Sequence, residues 1–479
     1  MPEQLASTEP TCAIYRNKGN VKFQQVTVAS RMIKPGYCQG VTVGDYDNDG
    51  FDDLYITALG SNALFHNQGD GTFVELTAQL GVDDSRWSTS CAFADVNLDG
   101  ALDLYVVNYL DDSPTNPLLC RNEKSPTGFE QCPPAKYNGV NDRLFLGDGA
   151  GGFIDVTASS GLGALAGKGL GVVVCDFDKV GLPEIYVTND GQANYLFHLS
   201  IDSQGVLKLN EIAMTSGTAL SAAGYAQASM GVAAGDYDRD GLIDLHITNF
   251  YGDYNTVYKN HGELRFDDVT RLTGMAGPSK KFLGWGTVFA DFDADGWLDL
   301  FVANGHVEDR TWNGRGEPFQ MQPQLFRNTR DGRFAENSID AGEYFTKAWL
   351  GRGVATVDLN HDNAIDLVIA HQLVPPVILL NNRTGHGMSL ELVGTASNRN
   401  GLGAKIRLRN SNSQLENRFD VLVSGASFLS AVENRVYISK GTEIEVFWPS
   451  GSVEIVSLGG SCGGLIVETT KDSGLNLDR

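Results

Sequence analysis

One hydrophobic pattern recurs along the chain. A short run of small and apolar residues, 40–44 (GVTVG), precedes a polar turn and a second apolar run, 54–57 (LYIT). Two more runs follow, 63–67 (ALFHN) and 73–77 (FVELT), separated by Gly69-Asp70-Gly71. Alternation over four to five residues, bounded by turn residues, predicts four short strands. The second half returns as LFLGDGAGGFIDVT (144–157), VYKNHGELRFDDVT (257–270) and LFRNTRDGRFAENS (325–338). Six polar turns of one kind start at Asp45, Asp95, Asp176, Asp236, Asp291 and Asp358. One four-stranded unit cannot bury both faces, so units must stack, and this period predicts an all-β propeller over residues 1–386. The chain opens in mid-unit with Ile14–Asn17 and Phe23–Thr27, and the sixth unit stops at Ile378–Asn381. Strands from both ends are thus expected to close the ring, with seven blades preferred over six. From about residue 387 the acidic turns cease. Alternating strands such as 389–393, 404–408 and 444–448 predict a small β-sandwich domain over 387–479.

The turns have the pattern D-x-D-x-D-G-x-x-D. Carboxylates at its first, third and fifth positions converge only if the backbone curls tightly, which the glycine permits. Two carboxylates ~4 Å apart repel by about 4 kcal/mol at an effective dielectric near 20, so the loop needs a cation. Hard oxygen donors on a flexible loop suit Ca²⁺. Loop 1 offers Asp45, Asp47, Asp49 and Asp53; loop 2 offers Asp95, Asn97, Asp99 and Asp103. Loop 4 offers Asp236, Asp238, Asp240 and Asp244; loop 5 offers Asp291, Asp293, Asp295 and Asp299. Loop 6 offers Asp358, Asn360, Asp362 and Asp366, with Asn363 in the glycine's place, a residue that also tolerates left-handed geometry. Loop 3 (Asp176, Asp178, Val180, Glu184) has lost its fifth-position oxygen and is expected to be weak or empty. About five calcium ions are therefore expected. An EF-hand is excluded, because its bidentate Glu at position 12 is replaced by Ile56 and Val106.

The net charge of −23 follows from these loops and marks metal ligation rather than a partner-attracting field. No basic stripe exists to hold nucleic acid. No apolar run approaches the ~20 residues of a membrane span. Residues 1–10 show no charged-then-apolar leader, so a place inside the cell is expected unless a signal was removed earlier. Of the seven cysteines, Cys120 and Cys132 flank an insertion and are candidates for a disulfide. Cys38, Cys91 and Cys175 precede acidic loops and are expected to be buried thiols.

The acidic loops, with strands such as Asp103-Leu104-Tyr105-Val106-Val107-Asn108, resemble the FG-GAP (VCBS-type) repeats of the integrin α-chain propeller. Residues 398–406 (NRNGLGAKI), 424–430 (SGASFLS) and 448–451 (WPSG) resemble the ASPIC/UnbV domain. The combination is similar to the cartilage acidic protein family and its bacterial relatives, and covers about residues 14–460. It implies a calcium-binding propeller with a C-terminal β-domain. Little follows about activity, since that family includes matrix proteins and proteins encoded beside biosynthetic genes.

In such a ring the acidic loops lie at one mouth, and the loops joining strands 2 to 3 and 4 to 1 surround the other. That funnel mouth is expected to carry Trp87, Tyr109, Asn249, Tyr251, Arg310, Trp349, Arg352 and His371 as ligand-binding candidates. His306, within the long 305–323 insertion, and Asp309, Asp190 and Asp253 are the candidate acids and bases. The competing bland assignments are turn capping for Asn249 and packing between blades for Trp285 and Trp349. His66, His198 and His261 are expected at the surface. Two functions follow: a calcium-stabilised propeller binding a small molecule, glycan or protein partner at the funnel, or a calcium-dependent cyclase, isomerase or hydrolase acting there on a biosynthetic intermediate. Whether the protein is an enzyme stays open at this point.

Overall fold

The computed structural model describes residues 12–112, 117–314, 316–383, 387–409, 419–439, 443–458 and 463–469. Its architecture is β-propeller-like. The first sheet runs Tyr37–Gly44, Asp53–Leu59, Ala63–Asn67, Phe73–Glu75 in antiparallel order. Five further sheets repeat this plan. Their innermost strands are Ser88–Ala94, Gly169–Cys175, Val232–Gly235, Gly284–Ala290 and Gly351–Val357. The acidic loop always joins the innermost strand to the next one.

Small residues on the innermost strands let neighbouring sheets meet backbone against backbone. A Cβ on Gly231 would lie 2.2 Å from the Trp285 carbonyl oxygen, and one on Gly286 would lie 2.5 Å from that of Arg352. Threonines on the second strands bridge the same gap. Thr188 donates to Met230 O at 2.7 Å and Thr248 to Trp285 O at 2.7 Å. Asparagines ending the third strands add another link. Asn260 donates to Ile243 O in its own sheet (3.1 Å) and to Phe177 O in the preceding one (2.9 Å). Asn328 does the same with Leu298 O and Tyr237 O.

The ends of the chain differ from expectation. Strands Tyr15–Asn17 and Phe23–Gln25 pair only with each other, and the sixth sheet keeps three strands. Asn17 donates to Leu359 O beyond the sixth sheet (3.0 Å), whereas Asn67 of the first sheet bonds within its own sheet, to Asp52 O (3.0 Å). The flanking strands Tyr37–Gly44 and Gly351–Val357 are partly exposed, whereas Ser88–Ala94 and Gly169–Cys175 are buried throughout. Cys38 is not a buried thiol. It is bonded to Cys12, because the N-terminal segment folds back across the first sheet and its Ile14 and Met32 pack beside Ile56 and Phe65. Cys120 and Cys132 are joined as expected, and Cys91 and Cys175 are buried and free.

The C-terminal region forms two sheets. One places Gly387–Val393 between Val436–Ser439 and Gly463–Val467. The other runs Asp420–Val421, Lys405–Arg409, Glu443–Phe447, Val453–Ser457. Met388, Leu390, Ile406, Ile444, Val446 and Trp448 pack between them. This region also contributes to the ring. The stretch from Val423 to Glu433 leaves the two sheets and enters the centre of the ring. Ser424–Gly425 pairs with Gly169–Cys175, Ser427 bridges to Val232, and Leu429 N donates to Ser90 Oγ at 3.2 Å. Glu433 N donates to Thr356 O (3.2 Å), Phe428 packs on Trp285 with ring centroids 4.6 Å apart, and Leu429 lies against Gly40. All six innermost strands are thereby touched by this axial loop. Among the described residues, no helix is long and apolar enough to cross a membrane.

Candidate functional site

The acidic mouth is built by a fixed backbone device. In loop 1, Asp45 accepts from Asp49 N (3.0 Å) and Gly50 N (2.8 Å), and buried Asp53 accepts from Asn67 N at 2.8 Å. Asp95, Asp236, Asp291 and Asp358 repeat the first pair. In loop 6, Asn363 takes the glycine's role at φ 64°. The fourth position is left-handed even where it is Leu98 or Ala294, so these loops hold a conformation that local preference disfavours.

That device crowds carboxylates. One oxygen from each of Asp45, Asp47 and Asp53 falls within a 4.8 Å cluster, as it does for Asp236, Asp238 and Asp244, and for Asp291, Asp293 and Asp295. Asp238 Oδ1, Asp244 Oδ2 and Asp293 Oδ1 are buried without a hydrogen-bond partner among the described residues. Burial pushes Asp53 up to about 8 and Asp45 and Asp95 up to about 6, and it holds Asp103 and Asp244 far above the usual carboxylate range. Unpartnered hard oxygens held at high electrostatic cost fit a divalent cation such as calcium.

The third strand adds a residue that sequence reasoning placed at the surface. His66 Nδ1 lies 3.2 Å from Asp53 Oδ1 and 3.3 Å from Asp47 Oδ2, and His198 Nδ1 lies 3.1 Å from Glu184 Oε1. At the same place the fourth sheet has Lys259, paired with Asp238 and 3.0 Å from Asp240; the fifth has Arg327, 2.6 Å from Asp293. Strand alternation carried this signal: the residue before the terminal Asn or its equivalent shares a face with the acidic loop. In the degenerate loop 3, Lys405 from the C-terminal region sits 2.7 Å from Asp176. That region also covers loop 1, where Asn400 accepts from Asp45 N (2.8 Å), loop 4 through Phe419 N and Asp236 (3.2 Å), and loop 6 through Glu433 and Asp358 N (3.1 Å).

At the opposite mouth lies a cavity of about 730 Å³ walled by Trp87, Tyr109, Phe250, Trp285, Phe428 and Leu429. Its charged lining residues are Asp190, Arg310 and Arg352. Tyr109 donates its hydroxyl to Asp190 Oδ2 at 2.6 Å, and burial raises both groups' pKa. Arg310 is paired with Glu308 at 2.5 Å. Arg352 stacks over Trp285 at 4.5 Å and donates to Gly351 O (2.8 Å), His306 O (2.9 Å) and Gln372 Oε1 (2.7 Å). The buried Trp87 Nε1 has no acceptor among the described residues.

Trp87, Tyr109, Asp190, Arg310 and Arg352 are thus brought together as the sequence suggested. The other candidates stand apart. His306 is buried behind the wall, with Nδ1 2.9 Å from Glu308 O, Nε2 3.9 Å from Glu317, and a pKa lowered by burial. Asp309 is exposed and caps Thr311; Asp253 meets Tyr225 at the surface. Asn249 caps its own turn by donating to Tyr254 O (2.9 Å). Tyr251 packs beside the cavity cluster, and Trp349 and His371 both pack on Tyr344. Trp285, assigned above to packing, is part of the wall. Phe428 and Leu429 were missed, since nothing in a run of small residues shows that it enters a ring.

Two family models match the chain: an FG-GAP-like repeat over residues 46–106 and 236–302, and ASPIC and UnbV over 394–460. Cartilage acidic protein 1 of Homo sapiens is 24% identical, over 88% of this chain and 61% of its own length. The Mus musculus protein of that name is 23% identical, over 93% and 68%. The chain therefore spans about three-fifths to two-thirds of these relatives. Among solved structures, an Agrocybe aegerita lectin that recognises non-reducing terminal N-acetylglucosamine matches with a TM-score of 0.43 and 14% identity, covering 78% of this chain and 88% of its own. The protein thus carries FG-GAP-like repeats followed by an ASPIC and UnbV segment, and over most of its length it is a relative of cartilage acidic protein 1.

Proposed function

We propose that this protein is a calcium-stabilised, propeller-like binding protein that takes a small ligand into its funnel cavity. The cavity carries the proposal: about 730 Å³ of largely aromatic space with a few fixed polar groups is the usual form of a small-molecule site. Binding is preferred over catalysis because His306, Asp309 and Asp253 lie outside that cavity. Calcium at the far mouth acts at a distance, by fixing the loops against which the C-terminal region rests. The bonds of Asn17 and Asn67 support a ring of seven positions, the seventh holding only an outer strand pair. Two disulfides favour an oxidising, extracellular setting.

Nile red, an uncharged dye, tests the cavity. Its fluorescence should saturate at a single equivalent on the calcium-loaded protein. Gln39→Trp, which fills the cavity from one wall, should abolish that signal while leaving the melting temperature in place. Absence of saturable binding to the unaltered protein would refute the assignment.

A further inference from the structure

Arg352 is the electrostatic anomaly of the cavity. Arg310 is neutralised by Glu308, and Asp190 receives the Tyr109 hydroxyl with the charge of Lys168 nearby. Arg352 has acceptors for its N–H groups, but they are three carbonyls and an amide, which are neutral. No carboxylate lies within ion-pair distance of it among the described residues. Burial alone pulls its guanidinium down to about 10. Arg352 is partly buried, and a cation drawn out of water is ordinarily paired, because its desolvation is otherwise uncompensated. Neutral acceptors and the Trp285 face hold it in place and leave the charge itself unmatched. Across the same cavity, Trp87 Nε1 is a buried donor without an acceptor.

Given that the cavity is a binding site, we propose that its ligand is an amphipathic monocarboxylate, with the carboxylate at Arg352 and the apolar body along Trp285, Phe428 and Trp87. One unmatched positive charge suits a monoanion; a phosphate monoester would bring a second negative charge with nothing to meet it. The terminal nitrogens of Arg352 already donate to neutral acceptors, so what it offers a carboxylate is its unmatched charge. An acceptor atom on the ligand body would satisfy Trp87.

Dansyl-aminoundecanoic acid and its methyl ester provide the test, titrated into the calcium-loaded full chain and followed by dansyl fluorescence. The acid should bind at least about tenfold more tightly than the ester. Arg352→Gln should remove that preference, so that acid and ester bind alike. Arg352→Lys, which keeps the charge, should retain part of the preference and guards against a variant that simply misfolds. Equal binding of acid and ester to the unaltered protein overturns the ligand class but leaves the cavity assignment standing. Binding of neither probe, with Nile red also failing, overturns both. Preference for dodecylammonium over the acid would place the decisive charge on Asp190 and likewise refute the proposal.

Discussion

The two mouths of the ring are chemically opposite. The acidic mouth repeats one device in five loops, with a degenerate copy in loop 3, and crowds charge onto backbone turns. The funnel mouth repeats nothing. Its wall takes Trp87 and Tyr109 from the second sheet, Asp190, Trp285 and Arg352 from three others, and Phe428 from the C-terminal region. Repetition suits a task every sheet shares, which is holding its own hairpin closed. A binding cavity needs different groups on different sides, and a ring supplies them by letting each unit vary where it faces the axis.

Removing the metal should produce the largest effect. Each ion held at 100-fold over its Kd contributes about 2.7 kcal/mol, so stripping several should lower the melting temperature by on the order of 20 °C. Calorimetry with and without EDTA checks this, and an unmoved transition would erase the division of labour between the mouths. Next comes Phe428→Ala, which deletes a buried ring packed on Trp285. It should cost about 3 kcal/mol and weaken Nile red binding, while the number of calcium ions counted by metal analysis stays the same. Loss of ions in that variant would show that the faces are not independent.

The pH response separates them further. In the chelated protein, Asp53, Asp45 and Asp95 have folded pKa values raised above their unfolded ones. The folded state then holds more protons than the unfolded state between roughly pH 4 and 8, so stability must fall as pH rises through that window. The melting temperature after EDTA treatment should decline from pH 5 to 8, and calcium should abolish the decline. The smallest effect belongs to Lys259, a resident cation at loop 4. Lys259→Gln should strengthen calcium binding there by a few-fold, as read by isothermal titration, because a partly exposed charge competes only modestly.

How much of this was legible follows from the same contrast. Strand order, the acidic loops and Asn363 as a glycine substitute were readable because each leaves a periodic trace in the residues. The contacts of His66 and His198 with the acidic loops were missed, although alternation pointed them there. The axial loop left no trace. Residues 424–430 are mostly small and polar, and positive φ at Ser427 and Leu429 is tolerated only because six strands surround them. The cavity was partly legible: Trp87, Tyr109, Asp190 and Arg352 lie at funnel-side loop positions, but only folding shows which of them meet. Cys38 was misread because its partner, Cys12, lies on a segment whose path across the first sheet no local pattern reveals.

The axial loop also fixes an order of events. A growing chain presents its sheets well before residue 424 exists, so the ring must wait with an unfilled core, or stay open along the side flanked by the first and sixth sheets. Only when the last stretch arrives can Phe428 and Leu429 seal the floor of the cavity. The floor of that cavity is therefore completed late in synthesis, and a molecule interrupted upstream would possess the acidic loops without it.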